Sequence, residues 1–241
     1  MAERLTLDKL EVSAGGACLL GLSAEIAPGE VLTLMGPSGV GKSALLGALT
    51  GTLPPGLTAS GVARLGPVKL TALPPEARRL GILFQESLLF PHLSVAGNLA
   101  FALPPGPRRE RRARIESALE EIGLPGFGRR DPATLSGGEQ ARVALMRTLL
   151  SAPRALLLDE PFSRLDGPRR EAIRSLTFDH ARAYGLPVLL VTHDSDDAQA
   201  AAGPVVQAVP GKIAYGQGCF VGGCAPHQAI RGGGAPPTPR Q

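Results

Sequence analysis

Residues 36–43 read "GPSGVGKS", set between the apolar run "VLTLM" (31–35) and the helix-like stretch "ALLGALTG" (44–51). The segment fills the G-x-x-x-x-G-K-[ST] pattern completely, and its context is a buried strand entering a helix. That combination constrains the fold more than any other feature. Glycines let backbone N–H groups close around an anion, and a helix start adds free N–H donors. Gly36, Pro37, Ser38, Gly39, Val40 and Gly41 are therefore expected to line a phosphate cradle. Lys42 is expected to reach the outer phosphates, and Ser43 to ligate magnesium through its hydroxyl. An ordinary strand–turn–helix corner has no packing use for Lys-Ser at the start of its helix.

Two more runs, "ALLLD" (155–159) and "PVLLVTH" (187–193), match "VLTLM" in being apolar over consecutive positions with no alternation. Such runs fit strands covered on both faces, as in a parallel sheet between helices. The patterning is α/β. At the N-terminus "RLTLDKLEV" (4–12) alternates and predicts a short edge hairpin about Asp8-Lys9. Residues 86–135 carry no apolar strand run and are broken by prolines and glycines, which predicts an inserted helical lobe. "VVQAVPGKIAYGQG" (205–218) reads as a closing hairpin turning at Pro210-Gly211. One domain over 1–217 is expected, followed by a disordered Gly/Pro-rich tail over 218–241.

Asp159 ends an apolar strand and Glu160 follows it, at the carboxyl edge where open α/β sheets bind ligands. One carboxylate can hold a metal, directly or through water, while the other polarises an attacking water. Taken alone, "DE" would be a helix cap; beside a phosphate cradle it points to chemistry. His193 ends the third run at the same edge, where an imidazole could hold a phosphate or the water. Gln85 follows the strand-like "GILF", where an amide could touch magnesium or water. Finally, "LSGGEQ" (135–140) is a second anion-binding helix start. Its Ser136 and Glu139 also spell a capping box. One cradle fills one site, so the second is explained if two copies pack head to tail. Ser136, Gly137 and Gly138 would then meet the phosphate held by the other copy's Lys42.

The bulk composition excludes several classes. A net charge of +4 suits nucleotides, phosphates or a membrane surface without choosing among them. The basic stretch "RRERRARIESALEEIGL" (108–124) puts Ile115, Leu119 and Ile122 at helical spacing. It therefore reads as a solvated helix face, and no aromatics are interleaved for base stacking. Nucleic acid is not an expected partner. Three cysteines do not make a disulfide framework, and Cys219, Cys224 and His227 are too scattered to read as a metal site. No signal peptide and no run of about 18 apolar residues is found, so the chain is not expected to span a membrane.

The order of "GPSGVGKS", Gln85, "LSGGEQ", "ALLLDE", "SRLD" (163–166) and His193 resembles the ATP-binding cassette (ABC) ATPases, over roughly residues 3–217. "GILFQESLLFPHLSVAGNLAFAL" and "LLLDEPFSRLD" are most similar to compact cassettes of bacterial importers, with a thiamine-importer-like subgroup coming closest. The resemblance implies a P-loop NTPase core with an N-terminal antiparallel β subdomain and the inserted lobe. It implies ATP with Mg2+, a nucleotide-sandwich dimer, Glu160 as hydrolytic base and Asp166 at the dimer seam. It further implies a separate transmembrane permease docked at Gln85 and the lobe, a periplasmic or extracellular solute-binding protein, and a peripheral place on the cytoplasmic face of the membrane. The rival reading is a non-transport cassette acting on ribosomes or nucleic acid. Such proteins often carry fused cassettes or long coiled-coil insertions, which this chain lacks. Two positions depart from the family. No aromatic lies in "EVSAGGACLL" (11–20) to stack on adenine, since Tyr184 and Tyr215 are far downstream, and Arg164 stands where alanine is common.

Overall fold

The computed structural model describes residues 3–165 and 167–216. Ten strands and six α-helices alternate along it. The strands are β1 (Leu5–Ala14), β2 (Ala17–Ile26), β3 (Val31–Met35), β4 (Leu57–Leu65), β5 (Val68–Lys69), β6 (Leu80–Leu83), β7 (Ala155–Asp159), β8 (Val188–Thr192), β9 (Val205–Gln207) and β10 (Ile213–Tyr215). The helices are α1 (Lys42–Thr50), α2 (Val95–Ala102), α3 (Arg108–Glu121), α4 (Gly137–Leu150), α5 (Gly167–Ala183) and α6 (Ser195–Ala201).

The strands form two sheets, ordered β10-β2-β1-β4-β5 and β6-β7-β8-β3-β9. The second is parallel throughout, and β7 and β8 are buried at every residue, as their unbroken apolar runs require. Side-chain alternation divides each of these strands between two cores. Leu32, Leu34, Leu157, Leu189 and Val191 join α1 and the inner face of the first sheet in one cluster. Leu156, Leu158, Val188 and Leu190 face α4 and α5 in another. A third cluster unites α2 and α3 through Val95, Leu99, Ile115, Leu119 and Ile122, and Val143 and Met146 of α4 complete it. The basic residues Arg108, Arg109, Arg112 and Arg114 lie on the outer face of α3, while its apolar stripe is buried.

Two turn expectations fail. Asp8-Lys9 is not a hairpin turn but a bulge within one long strand, where the register of β1 shifts against both β2 and β4. The bulge, with Lys9 at φ 46°, lets Leu5, Leu7, Leu10 and Val12 all face the core despite the break in their spacing. It also explains Gly61 on β4, because a Cβ there would lie 2.2 Å from the Lys9 carbonyl oxygen. The hairpin turn itself is Gly15-Gly16. At the other end, the chain does turn at Pro210-Gly211, but β9 and β10 do not pair. β9 extends the parallel sheet beside β3, and β10 extends the other sheet beside β2. The expected tail and the residues Asp166, Cys219, Cys224 and His227 lie outside the described residues.

Candidate functional site

Because β3, β6, β7 and β8 run parallel, their carboxyl ends meet at one edge. The residues that follow them are Gly36, Gln85, Glu160 and His193, with Asp159 closing β7. The loop after β3 turns through Gly39 (φ 81°) and Gly41 (φ 103°). A Cβ on Gly36 would lie 2.8 Å from the Ala208 Cβ, so that glycine is required by the close passage of the chain after β9. Gly41 is the N-cap of α1 and makes no side-chain cap, which leaves the first N–H groups of the helix for an anion. Pro37, Ser38, Gly39 and Ser43 are exposed at the rim, while Val40 anchors the loop in the core.

Lys42 is 5% exposed, and its Nζ donates to the carbonyl oxygens of Gly36 (2.7 Å) and Pro37 (2.8 Å). Burial lowers its pKa, against the pull of Glu160 and Asp159, which raise it. Asp159 is shifted upward chiefly by burial; the neighbouring Glu160 pushes the same way, while a hydrogen bond with Ser43 and the charge of Lys42 oppose the rise. The charges of two adjacent carboxylates thus act together on one buried ammonium. The pairing of Ser43 with Asp159 sets two hard oxygen donors side by side, a donor set that fits a magnesium ion. His193 Nδ1 lies 3.0 Å from Glu160 Oε1. Glu160 itself is left-handed, at φ 48°, with its N–H bonded to the Val191 carbonyl at 2.9 Å. Gln85 is exposed.

Ser136, Gly137 and Gly138 stand apart from this group. Ser136 caps α4 in a closed box: its N–H donates to Glu139 Oε2 (2.7 Å), and the Glu139 N–H donates to Ser136 Oγ (3.3 Å). The Ser136 N–H and hydroxyl hold the Glu139 carboxyl below its ordinary range. Gln140 Nε2 fixes the preceding turn through the Pro132 and Leu135 carbonyl oxygens, at 3.2 and 3.3 Å. Nothing lies within 4 Å of a Cβ placed on Gly137, and Gly138 would meet only Leu165, at 3.4 Å. The second cradle is thus assembled and open, and none of its hydrogen bonds goes to the first.

Two features beside the site go beyond the sequence reading, which notes Arg164 but no partner for it. Arg164 pairs with Glu86 (3.7 Å), joining the loop before α5 to the Gln85 loop at the surface. Behind His193, Arg170 and Arg174 of α5 pair with Asp194 and Asp197. Their signal was present as two arginines at i, i+4 and the acidic "DSDD" (194–197), but neither points to a partner without the fold.

Comparison with known proteins gives a consistent result. The sequence profile of the family described as "ABC transporter" matches residues 19–163. An uncharacterised ABC transporter ATP-binding protein, YnjD of Escherichia coli (strain K12), is 49% identical over 173 residues, covering 71% of this chain and 80% of that protein. The ferric-iron import ATP-binding protein FbpC of Streptomyces avermitilis is 41% identical, over 87% of this chain and 61% of its own length. The spermidine/putrescine import ATP-binding protein PotA of Marinobacter nauticus is 40% identical, over 87% of this chain and 56% of its own length. The chain thus spans little more than half of those two import proteins. Among solved structures, the dimeric post-hydrolysis state of the cassette MJ0796, bound to ADP and Pi, superposes with a TM-score of 0.72 at 29% identity, covering 84% of this chain and 93% of that one.

Proposed function

The chain belongs to the ABC transporter family, and from that premise we propose that it is the ATP-hydrolysing subunit of a bacterial importer, with each site closed by a second copy. It is an ABC ATPase with the α/β cassette fold. In the proposed assignment, the backbone N–H groups of residues 38–43 hold the phosphates, and Lys42 leaves its two carbonyl partners to meet the outer ones. Ser43 and Asp159 hold magnesium, with Gln85 as a further ligand. The ion would neutralise charge on the phosphate oxygens. Glu160 accepts a proton from the attacking water, and His193 holds the Glu160 carboxylate and the terminal phosphate in register. No covalent intermediate is needed, since positioning and charge stabilisation suffice for phosphoryl transfer.

The observation that carries the two-copy reading is the open start of α4. Ser136 is satisfied within its own cap, Gly137 faces empty space, and neither bonds to residues 36–43. The dimeric state of the similar cassette supports this arrangement.

The permease is assigned to the surface beside Gln85. Phe84, Leu88 and Phe101 are 40%, 53% and 70% exposed there, around the Phe90 ring and the Arg147 guanidinium that sits 5.1 Å above it. No helix among the described residues is long and apolar enough to cross a membrane; in the proposal the transmembrane path belongs to the permease. A peripheral place on the cytoplasmic face and a solute-binding protein on the far side follow as part of the proposal. The relatives above are named for ferric iron and polyamines, so the thiamine-like expectation draws no support from them. The test is copurification from detergent-solubilised membranes. A multi-span hydrophobic protein is expected to travel with the wild-type chain and to be lost from Phe101→Asp. Recovery with ribosomes or nucleic acid instead would favour the non-transport cassette.

A further inference from the structure

His193 has little packing of its own, its side chain being 56% exposed. The ring is held on one side by Glu160, so its position depends on the backbone at 192–194. That backbone is fixed from behind by a buried carboxylate. Asp197, 1% exposed, accepts a hydrogen bond from the Thr192 hydroxyl through Oδ2 (3.1 Å), and the same hydroxyl accepts the Asp194 N–H (3.1 Å). The other oxygen, Oδ1, accepts Arg174 Nε at 2.6 Å and also pairs with Arg174 Nη2. Arg170 completes the cluster, with Nη2 2.9 Å from Asp194 Oδ2 and Nε 3.6 Å from Asp197 Oδ1. Asp194 caps α6 by accepting the Asp196 N–H at 2.8 Å. The residues on either side of His193 therefore both end in one ionic cluster, whose cations belong to α5.

We propose that Asp197 and Arg174 are positioning residues for ATP hydrolysis: through Thr192 they hold the His193 ring against Glu160. The proposal rests on the reading of Glu160 and His193 as the hydrolytic pair. Two features favour this over simple anchoring of α6. First, Asp194 already caps that helix, so the Thr192–Asp197 bond is not needed for the cap. Second, Arg170 Nε and Arg174 Nη2 are buried without an aligned hydrogen-bond acceptor among the described residues, so charge pairing with Asp194 and Asp197 holds them. Such a cluster fixes a loop well, because no single group can move without leaving a buried charge unpaired.

The experiment measures kcat, KM and the affinity for a fluorescent ATP analogue in Asp197→Asn, Thr192→Val and Arg174→Lys, each also in a His193→Ala background. Asp197→Asn is expected to lower kcat about 10- to 100-fold, the cost of misplacing a reacting group by about an ångström, with KM and analogue affinity within about twofold of wild type. Thr192→Val, which keeps the side-chain volume, is expected to lower kcat in the same way and serves as the test if Asp197→Asn does not fold. Arg174→Lys should retain more activity than Arg174→Met. In single-turnover assays, none of these changes should lower the residual rate of His193→Ala further. Wild-type kcat in both Asp197→Asn and Thr192→Val would overturn the proposal, and so would the same fold-loss with and without His193. Glu160→Gln run alongside separates the two readings. If it too keeps full turnover, the hydrolytic pair is wrong; if it is inactive while Asp197→Asn and Thr192→Val are not, only the positioning role fails.

Discussion

Glu160 follows the last residue of a strand, and in a strand consecutive side chains point to opposite faces. Asp159 and Glu160 would then diverge. The left-handed backbone at Glu160 breaks that alternation, and the charges of both residues act on Lys42. For a residue with a Cβ this conformation costs about 1–2 kcal/mol, which the Glu160 N–H bond to Val191 helps to offset. Strain of this kind is what brings the two carboxylates to act on one lysine, as their separate proposed tasks require. Glu160→Gln keeps the shape and removes the proposed base. It is expected to bind ATP as wild type does and to lower turnover about 10²- to 10⁴-fold, read in a phosphate-release assay beside a nucleotide titration. The identities of these residues were legible in the sequence, since strand ends and a glycine loop announce themselves by pattern. The left-handed turn was not, because nothing about a glutamate signals positive φ. The Arg164–Glu86 pair was equally hidden, its partners lying 78 positions apart in a chain whose folding alone joins them.

Among the elements, the ones read correctly are those whose neighbours cover them on both sides. β3, β7 and β8 are almost wholly apolar because the parallel sheet lies between two cores, and any register of such a run remains buried. The errors fall where pairing is decided elsewhere in the chain. β1 keeps one buried face by inserting a bulge, so its break in alternation imitates a turn. β9 and β10 share a turn yet serve different sheets, each pairing in parallel with an edge supplied by a distant part of the chain, β3 and β2 respectively. A similar long-range device ends α1. The Arg78 guanidinium, 8% exposed, donates from Nη1 to the Ala48 and Leu49 carbonyl oxygens (2.8 and 2.6 Å) and from Nε to that of Leu73 (2.9 Å). It thereby satisfies acceptors that a helix end leaves open, and its charge opposes the helix dipole. It also dictates Gly51, where a Cβ would lie 2.8 Å from the Arg78 Cζ. Arg78→Met keeps the apolar bulk but strands those carbonyls. Unfolding by urea should show a loss of about 1–3 kcal/mol. Because α1 carries Lys42 and Ser43 at its other end, weaker nucleotide binding is expected to accompany it.

At the scale of the molecule, the lobe and the sheets have separate cores, and α4 belongs to both. Leu145 and Leu149 pack with the sheet, while Val143 and Met146 pack with α2 and α3. Its capped start is therefore tied to both cores, and its cap hydrogen bonds stay within Ser136 and Glu139 and do not reach residues 36–43. In the proposed two-copy reading, a second molecule supplies the ligand of this helix start. Gly137 allows a clean test, because a side chain there meets no atom within 4 Å in the single subunit. Gly137→Arg is thus expected to fold with an unchanged melting temperature and to bind ATP with wild-type affinity. In the dimer the added side chain would occupy the space meant for the partner's phosphate. ATP-dependent dimerisation, followed by light scattering in the Glu160→Gln background to prevent hydrolysis, should be abolished, and turnover of the single variant should fall to background. A Gly137→Arg protein that hydrolyses ATP at the wild-type rate would mean that each subunit completes its own site, and the open helix start would then need another explanation.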